Sequence, residues 1–280
     1  MKQYFKKKPL DFKLYKNKGI LIHSDCVKKE GMPLLKNNCV GLILADLPYG
    51  TTELAWDSII DLKKLWKNYK RILKPNGAIL LTASQPFTTT LISTNREEFK
   101  YCLVWIKNRG TGFVHAKNKP LKFHEDILIF SSGTTIHKSQ SKNRMIYNPQ
   151  GLVRLDKKIK NPSEKGRRTT AGTHANSFKG IKKYVQEYVN YPKDLLYYNL
   201  DTVDLKHPTQ KPIKLFEYLI RTYSNEGEVV LDNTSGYSTT AIASILSKRK
   251  FICMEKTKEY YDLSDTRIRK RIELESRKLF

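Results

Sequence analysis

Short apolar runs alternate along the chain with stretches whose apolar residues recur every three or four positions. The runs are Ile20–His23, Val40–Ala45, Ala78–Thr82, Cys102–Ile106, Asp126–Phe130, Val229–Leu231 and Phe251–Met254. Each has the length of a strand. Several are apolar throughout instead of at every second residue, the pattern of a sheet covered on both faces. Leu62, Leu65, Trp66, Tyr69 and Ile72 mark the buried face of a helix, with Lys74-Pro75-Asn76-Gly77 as its stop signal. Ile213, Phe216, Leu219 and Ile220 predict a second helix after Pro212. Ala241, Ile245 and Leu246 predict a third, and Tyr261, Ile268 and Ile272 a fourth. Strands alternating with helices predict an α/β sheet with crossovers. Trp56, Trp66 and Trp105 lie within apolar patterns and are expected in the core.

The middle of the chain breaks this rhythm. From Ser131 to Leu200 there are 14 Lys and Arg against four Asp and Glu, strand patterns are scarce, and turn formers dominate. Tyr147, Phe178, Tyr184, Tyr188, Tyr191, Tyr197 and Tyr198 are interleaved with the basic residues. Such a stretch reads equally as a lobe that grips nucleic acid or as a flexible basic loop. Lys165, Arg167 and Arg168 are the candidate phosphate contacts within it. The boundaries expected are 1–130, an insertion at 131–205, and 206–280.

Composition narrows the choice of partner. The 280 residues carry 52 Lys and Arg against 27 Asp and Glu, a net charge of +25. That excess favours a polyanion, although a Lys-, Asn- and Ile-rich composition can also arise from biased coding. No apolar run approaches the roughly 18 residues of a membrane span. The basic start lacks the apolar core of a secretory signal. Cys26, Cys39, Cys102 and Cys253 are far apart and without a CxxC pair, so neither zinc nor a disulfide framework is suggested. A reduced, cytoplasmic protein is the expectation.

Two strand ends carry the candidate chemistry. The run from Val40 ends in Asp46-Leu47-Pro48-Tyr49-Gly50. Ligands of open α/β sheets bind beyond the carboxyl ends of strands. There Asp46 and the Leu47 carbonyl can accept hydrogen bonds from an amino group, Pro48 can stiffen the turn, and Tyr49 can offer a stacking face. By itself the tetrad could also be ordinary strand punctuation. The run from Val229 ends in Asp232, followed by Asn233 to Thr240 and an apolar helix, and the next strand ends in Glu255. A tight loop at a helix start with an acid on the next strand is how such folds hold a nucleoside. Glu255 would take both ribose hydroxyls.

Taken together, these segments resemble the amino-directed DNA methyltransferases of the beta group, in the phage-like subgroup. Asp46-Leu47-Pro48-Tyr49 resembles their catalytic Asp-Pro-Pro-Tyr motif, continued by Gly50-Thr51-Thr52 and Trp56-Asp57. Asn108-Arg109-Gly110-Thr111-Gly112-Phe113 with His124-Glu125-Asp126 is similar to a stretch typical of that subgroup. His207-Pro208-Thr209-Gln210-Lys211-Pro212 matches the family segment at every position. Met254-Glu255-Lys256 with Tyr260-Tyr261 resembles the strand end that meets the cofactor ribose. The order, catalytic half before cofactor half, is that of the beta group.

The resemblance implies a Rossmann-like class I methyltransferase sheet of about seven strands, mostly parallel with one reversed near an edge, carrying an inserted basic DNA-recognition lobe. It implies S-adenosylmethionine as cofactor and a flipped adenine of double-stranded DNA as substrate. Asp46, Leu47, Pro48 and Tyr49 would be catalytic. Asp25, Lys211, Asp232, Ser235, Gly236 and Glu255 would hold the cofactor, with Lys211 on its carboxylate and Asp25 beside its adenine, unless Asp25 only closes a turn. Arg109 would touch DNA, unless its loop is a plain turn. No metal is required. A homodimer and a cognate restriction endonuclease are the further partners compatible with the family. Two rivals stand: a cytosine-amino methyltransferase, disfavoured because that group more often has Ser in place of Asp46, and a DNA-binding protein with a degenerate cofactor loop. The loop does depart from the family, with Tyr237 where a small residue is usual and Ser238 where glycine is usual. If that position has positive φ, Ser238 carries strain of roughly 1 kcal/mol. Tyr237 would crowd the methionine moiety, unless the loop is a tolerated variant, the reading that the intact remaining motifs favour.

Overall fold

The computed structural model describes residues 3–50, 58–136, 143–161, 184–203 and 209–277. The strands are β1 (Phe12–Tyr15), β2 (Gly19–His23), β3 (Val40–Asp46), β4 (Leu73–Ala83), β5 (Phe99–Thr111), β6 (Lys122–Phe130), β7 (Val153–Asn161), β8 (Tyr184–Val189), β9 (Leu195–Tyr197), β10 (Val229–Asp232) and β11 (Lys250–Glu255). The α-helices are α1 (Leu62–Ile72), α2 (Phe87–Thr94), α3 (Ile213–Tyr223), α4 (Thr239–Leu246) and α5 (Lys258–Arg277). All seven apolar runs are strands, and all four helical patterns are helices.

Among the described residues nine strands form one sheet in the order β1-β2-β11-β10-β3-β4-β6-β5-β9. The seven from β2 to β5 make the expected frame, in which β6 runs antiparallel to both β4 and β5. β1 adds an antiparallel edge next to β2, and the short β9 extends the other edge parallel to β5.

Side-chain alternation builds the layers. Ile43 and Ala45 of β3 pack on one face of the sheet with Leu65, Trp66, Tyr69 and Ile72 of α1 and with Phe87 and Leu91 of α2. Leu42 and Leu44 point the other way, onto Leu215, Phe216, Leu219 and Ile220 of α3. Leu21, Phe251 and Cys253 pack on Ala241 and Ile245 of α4 and on Tyr261 and Ile268 of α5. Each such aliphatic side chain, fully buried, contributes about 1.5–3 kcal/mol.

Local signals set the helix ends. Asp61 caps α1 by accepting the Lys64 amide at 3.0 Å, while Lys70 and Arg71 sit at the end where carbonyls go unpaired. The helix stops at Ile72 as expected and passes straight into β4. Lys74 to Gly77 then bulge between the pairs Val40–Leu73 and Leu42–Ala78.

Residues Met1–Asn148 and Asp194–Phe280 make one compact unit and Pro149–Lys193 a second. The second unit contains β7 and β8, paired antiparallel, in the stretch whose composition suggested few strands. Its span is narrower than the 131–205 insertion read from composition. Met145 and Leu196, on either side of it in sequence, are buried in the cluster around α3. Among the described residues no helix is long and apolar enough to cross a membrane.

Candidate active site

A cavity of about 660 Å³ opens where β3, β10 and β11 end. Asp46, Asp232 and Glu255, the last residues of those three strands, all line it. Parallel strands deliver their final side chains to one edge of the sheet, so residues about 190 positions apart in sequence meet.

At one end of the cavity Asp46 is held from several sides. Its Oδ2 accepts the Lys211 ammonium at 2.7 Å. Its Oδ1 accepts the Tyr49 hydroxyl at 3.0 Å and the hydroxyl of Thr82, the residue opposite it on β4. Its backbone carbonyl accepts the Thr234 hydroxyl at 3.1 Å, tying the turn after β3 to the loop after β10. Lys211 is buried and also lies 3.3 Å from Glu125 Oε2, and Glu125 Oε1 takes the Lys107 ammonium at 3.0 Å. Two carboxylates and two ammonium groups therefore alternate along one wall. Burial works against the Lys211 charge, but Asp46 and Glu125 outweigh it and hold its pKa above the ordinary lysine value. Burial likewise opposes ionisation of Glu125, and Lys211 and Lys107 together bring its pKa below the usual carboxylate range. The Tyr49 ring packs against Phe87 at 5.5 Å and lies 5.9 Å from the Lys211 ammonium. Burial, then the charges of Asp46 and Glu125, drive its phenol pKa far up.

At the other end, backbone amides organise the acids. Glu255 accepts the Gly236 amide on Oε2 and the Thr257 amide on Oε1, both at 2.8 Å. A carboxylate oxygen has more than one acceptor site, so both retain capacity toward a ligand. Burial raises the Glu255 pKa. Asp232 takes the Thr240 hydroxyl at 2.5 Å and the Thr234 amide at 3.1 Å. Burial dominates there too, lifting its pKa to about 7. Asp25 lines the cavity and accepts the Val27 amide at 3.1 Å.

The unusual loop takes a defined form. Ser238 has φ 56° and ψ 42°, the left-handed conformation in which the strain argument applies, and it is the N-cap residue immediately before α4. Tyr237 lines the cavity but also rests on α5. The Arg267 guanidinium lies 4.3 Å from its ring centroid and donates to its backbone carbonyl at 2.7 Å.

The structure thus gathers Asp25, Asp46, Leu47, Pro48, Tyr49, Lys211, Asp232, Ser235, Gly236 and Glu255 around one cavity. One placement differs from expectation. The Lys211 ammonium, assigned by resemblance to the cofactor carboxylate, lies between two carboxylates of the chain itself. Arg109 is exposed on β5 and does not line the cavity. Lys165, Arg167, Arg168, Phe178, His207, Pro208 and the Thr51–Asp57 stretch fall outside the described residues. Trp66 and Trp105 are buried. Thr82, Lys107 and Glu125 were not singled out from sequence as site residues. For Glu125 the available signal was its place in the His124-Glu125-Asp126 segment, and for Thr82 it was the pairing of β3 with β4 that sets it beside Asp46.

A DNA methylase family model matches residues 40–266. The DNA adenine methyltransferase YhdJ of Escherichia coli (strain K12) is 28% identical over 262 residues, covering 89% of this chain and 82% of that protein. The solved PvuII DNA methyltransferase (cytosine-N4-specific) superposes with a TM-score of 0.63 at 15% identity, covering 94% of this chain and 89% of the other. The M1.HpyAVI–SAM complex superposes with a TM-score of 0.58 at 21% identity, covering 89% and 98%.

Proposed function

The chain belongs to the DNA methylase family, and from that premise we propose that it methylates the exocyclic amino group of adenine in double-stranded DNA. Its cofactor is S-adenosylmethionine, which supplies an electrophilic methyl group on a sulfonium centre. The observation that carries the proposal is the Asp46-Leu47-Pro48-Tyr49 turn on the cavity wall, with Asp46 clamped by Lys211, Thr82 and Tyr49. Adenine is favoured because the cytosine-directed members of the family more often carry Ser where Asp46 stands.

An amino group inside a duplex is out of reach, so the base must leave the stack, at a cost of roughly a few kcal/mol. In the cavity the amino group competes with the Tyr49 hydroxyl for Asp46 Oδ1. The Tyr49 ring, once released, stacks on the base. Lys211 keeps the carboxylate oriented, and the Leu47 carbonyl accepts the second amino hydrogen. Fixing the amino nitrogen in this way supplies the gain of proximity and orientation. Glu255, Asp25, Asp232, Ser235 and Gly236 fit the nucleoside and amino-acid parts of the cofactor. Glu255 fits best, as a buried carboxylate with acceptor capacity facing the cavity. Arg109, Lys165, Arg167 and Arg168 are assigned to DNA, in keeping with the net charge of +25.

Incubation of DNA with the protein and S-adenosylmethionine, digestion to nucleosides and mass spectrometry test the proposal. N6-methyladenine is the expected product. N4-methylcytosine would overturn the choice of base. Unmodified DNA from a protein that binds it would favour a DNA-binding protein with an inactive cofactor site.

A further inference from the structure

The β5–β6 hairpin projects from the cavity rim. Thr111 and Lys122 pair across it, and both line the cavity. Just beyond them Gly112 turns the chain with φ 88°, and a tight turn follows. There His115 donates to the Gly112 carbonyl at 2.9 Å, Ala116 to Phe113 at 3.0 Å and Asn118 to His115 at 2.8 Å. The apex therefore has a shape of its own. It presents Phe113, 80% exposed, and Val114, 92% exposed, side by side. Exposed apolar residues are ordinary when scattered singly. These two are adjacent, at the tip of a basic element. From Lys107 to His124 the sequence carries Lys107, Arg109, Lys117, Lys119 and Lys122 with no Asp or Glu. Arg109, Lys117 and Lys119 are exposed.

The combination selects one kind of partner. Two side chains offer far too little area for a protein interface, which needs roughly 800 Å² per partner. They do match the thickness of a base step, and the surrounding charge matches phosphates. Apolar side chains entering a base stack beside basic phosphate contacts are an established way to hold a duplex distorted. Resting on the reading of this chain as a DNA methyltransferase, we propose that Phe113 and Val114 form a wedge. The wedge enters the space a target base vacates, while Arg109, Lys117 and Lys119 hold the flanking phosphates. The geometry supports this directly, because the apex begins two residues from Thr111 on the rim of the cavity that would receive the base.

The test compares two labelled duplexes of one sequence, one intact and one with a single abasic site, by fluorescence anisotropy. A ready-made gap removes the unstacking cost, so the wild-type protein is expected to bind the abasic duplex about tenfold more tightly, equivalent to about 1.4 kcal/mol. In the double variant Phe113→Ala/Val114→Ala the ratio falls to about one. Both side chains are solvent-facing, and an unchanged thermal melt confirms that the variant folds. Lys117→Gln/Lys119→Gln weakens binding to both duplexes alike and lowers the salt slope. A wild-type protein without the preference, or a double variant that keeps it, overturns the wedge while leaving the methyltransferase reading intact. Failure to bind either duplex, with no methyl transfer to DNA, overturns that reading and the wedge with it.

Discussion

Replacing the two unusual loop residues one at a time separates their effects. Tyr237 is 8% exposed, and its ring lies against the Arg267 guanidinium at 4.3 Å. Truncating a buried aromatic costs about 3–5 kcal/mol, of which the cation–π contact accounts for roughly 0.5–2. The hydrogen bond from Arg267 to the Tyr237 carbonyl belongs to the backbone and survives the change. Tyr237→Ser is therefore expected to destabilise by about 3 kcal/mol, a fall in melting temperature of roughly 6–12 °C at this chain length. Ser238→Gly behaves differently. Relief of the left-handed backbone returns about 1 kcal/mol. Against it stand about 0.4–1 kcal/mol from the freer unfolded chain and the weak 3.3 Å contact with the Ser235 hydroxyl. The net change should stay within about 0.5 kcal/mol. Thermal unfolding by circular dichroism, with S-adenosylmethionine titrations by calorimetry, measures both variants. A Tyr237→Ser protein that melts like wild type and binds the cofactor more tightly would refute the reasoning. The ring would then be an obstruction in the cavity, the sharper of the two readings the sequence left open, and not a support for α5.

Three further outcomes follow from the site. Asp46→Ala should abolish methyl transfer in a tritium assay while calorimetry finds cofactor affinity nearly unchanged; turnover at the wild-type rate would remove Asp46 from catalysis. Lys211→Met leaves Asp46 and Glu125 facing each other without their shared cation, so it should cost about 3 kcal/mol in urea unfolding as well as activity, and a variant of wild-type stability would show that the buried network is not strained by its loss. Asp232 has a folded pKa of about 7, above its unfolded value, so the folded state binds the extra proton between those limits: its contribution is greatest below the unfolded pKa and declines as pH rises toward about 7. Asp232→Asn should flatten that decline in denaturation series across the range, and identical pH profiles for both proteins would contradict the assignment.

The frame was legible because burial on both faces leaves an uninterrupted apolar signature. Val40–Ala45 and Phe251–Met254 could hardly be anything but central strands. The elements missed are those whose stability comes from their neighbours. β9 is three residues long and exists by pairing with Val104–Ile106. α2 contains four threonines in eight residues and is held by Phe87 and Leu91 against the core. β7 does alternate, through Val153, Leu155 and Ile159, but its polar positions are mostly basic and masked the period. Within the site, strand-end acids announced themselves by position. The partners of Asp46 did not. Thr82 meets it through sheet register, and Lys211 through a long side chain reaching back from the segment before α3. The left-handed Ser238 was foreseeable because glycine was the residue displaced.

β3 lies between β4, which follows it closely in the chain, and β10, which comes about 190 residues later. During synthesis the Val40–Ala45 strand can find its first neighbour early, but its other edge stays open until Val229–Asp232 leaves the ribosome. Every residue from Val40 to Ala45 is buried in the finished protein. For most of translation, then, the growing chain presents an apolar strand edge of the kind that recruits other chains. The arrangement that brings β3 and β10 side by side at the cavity makes newly made protein dependent on prompt completion or on a chaperone, so slow or interrupted translation should yield aggregates instead of a folded fragment.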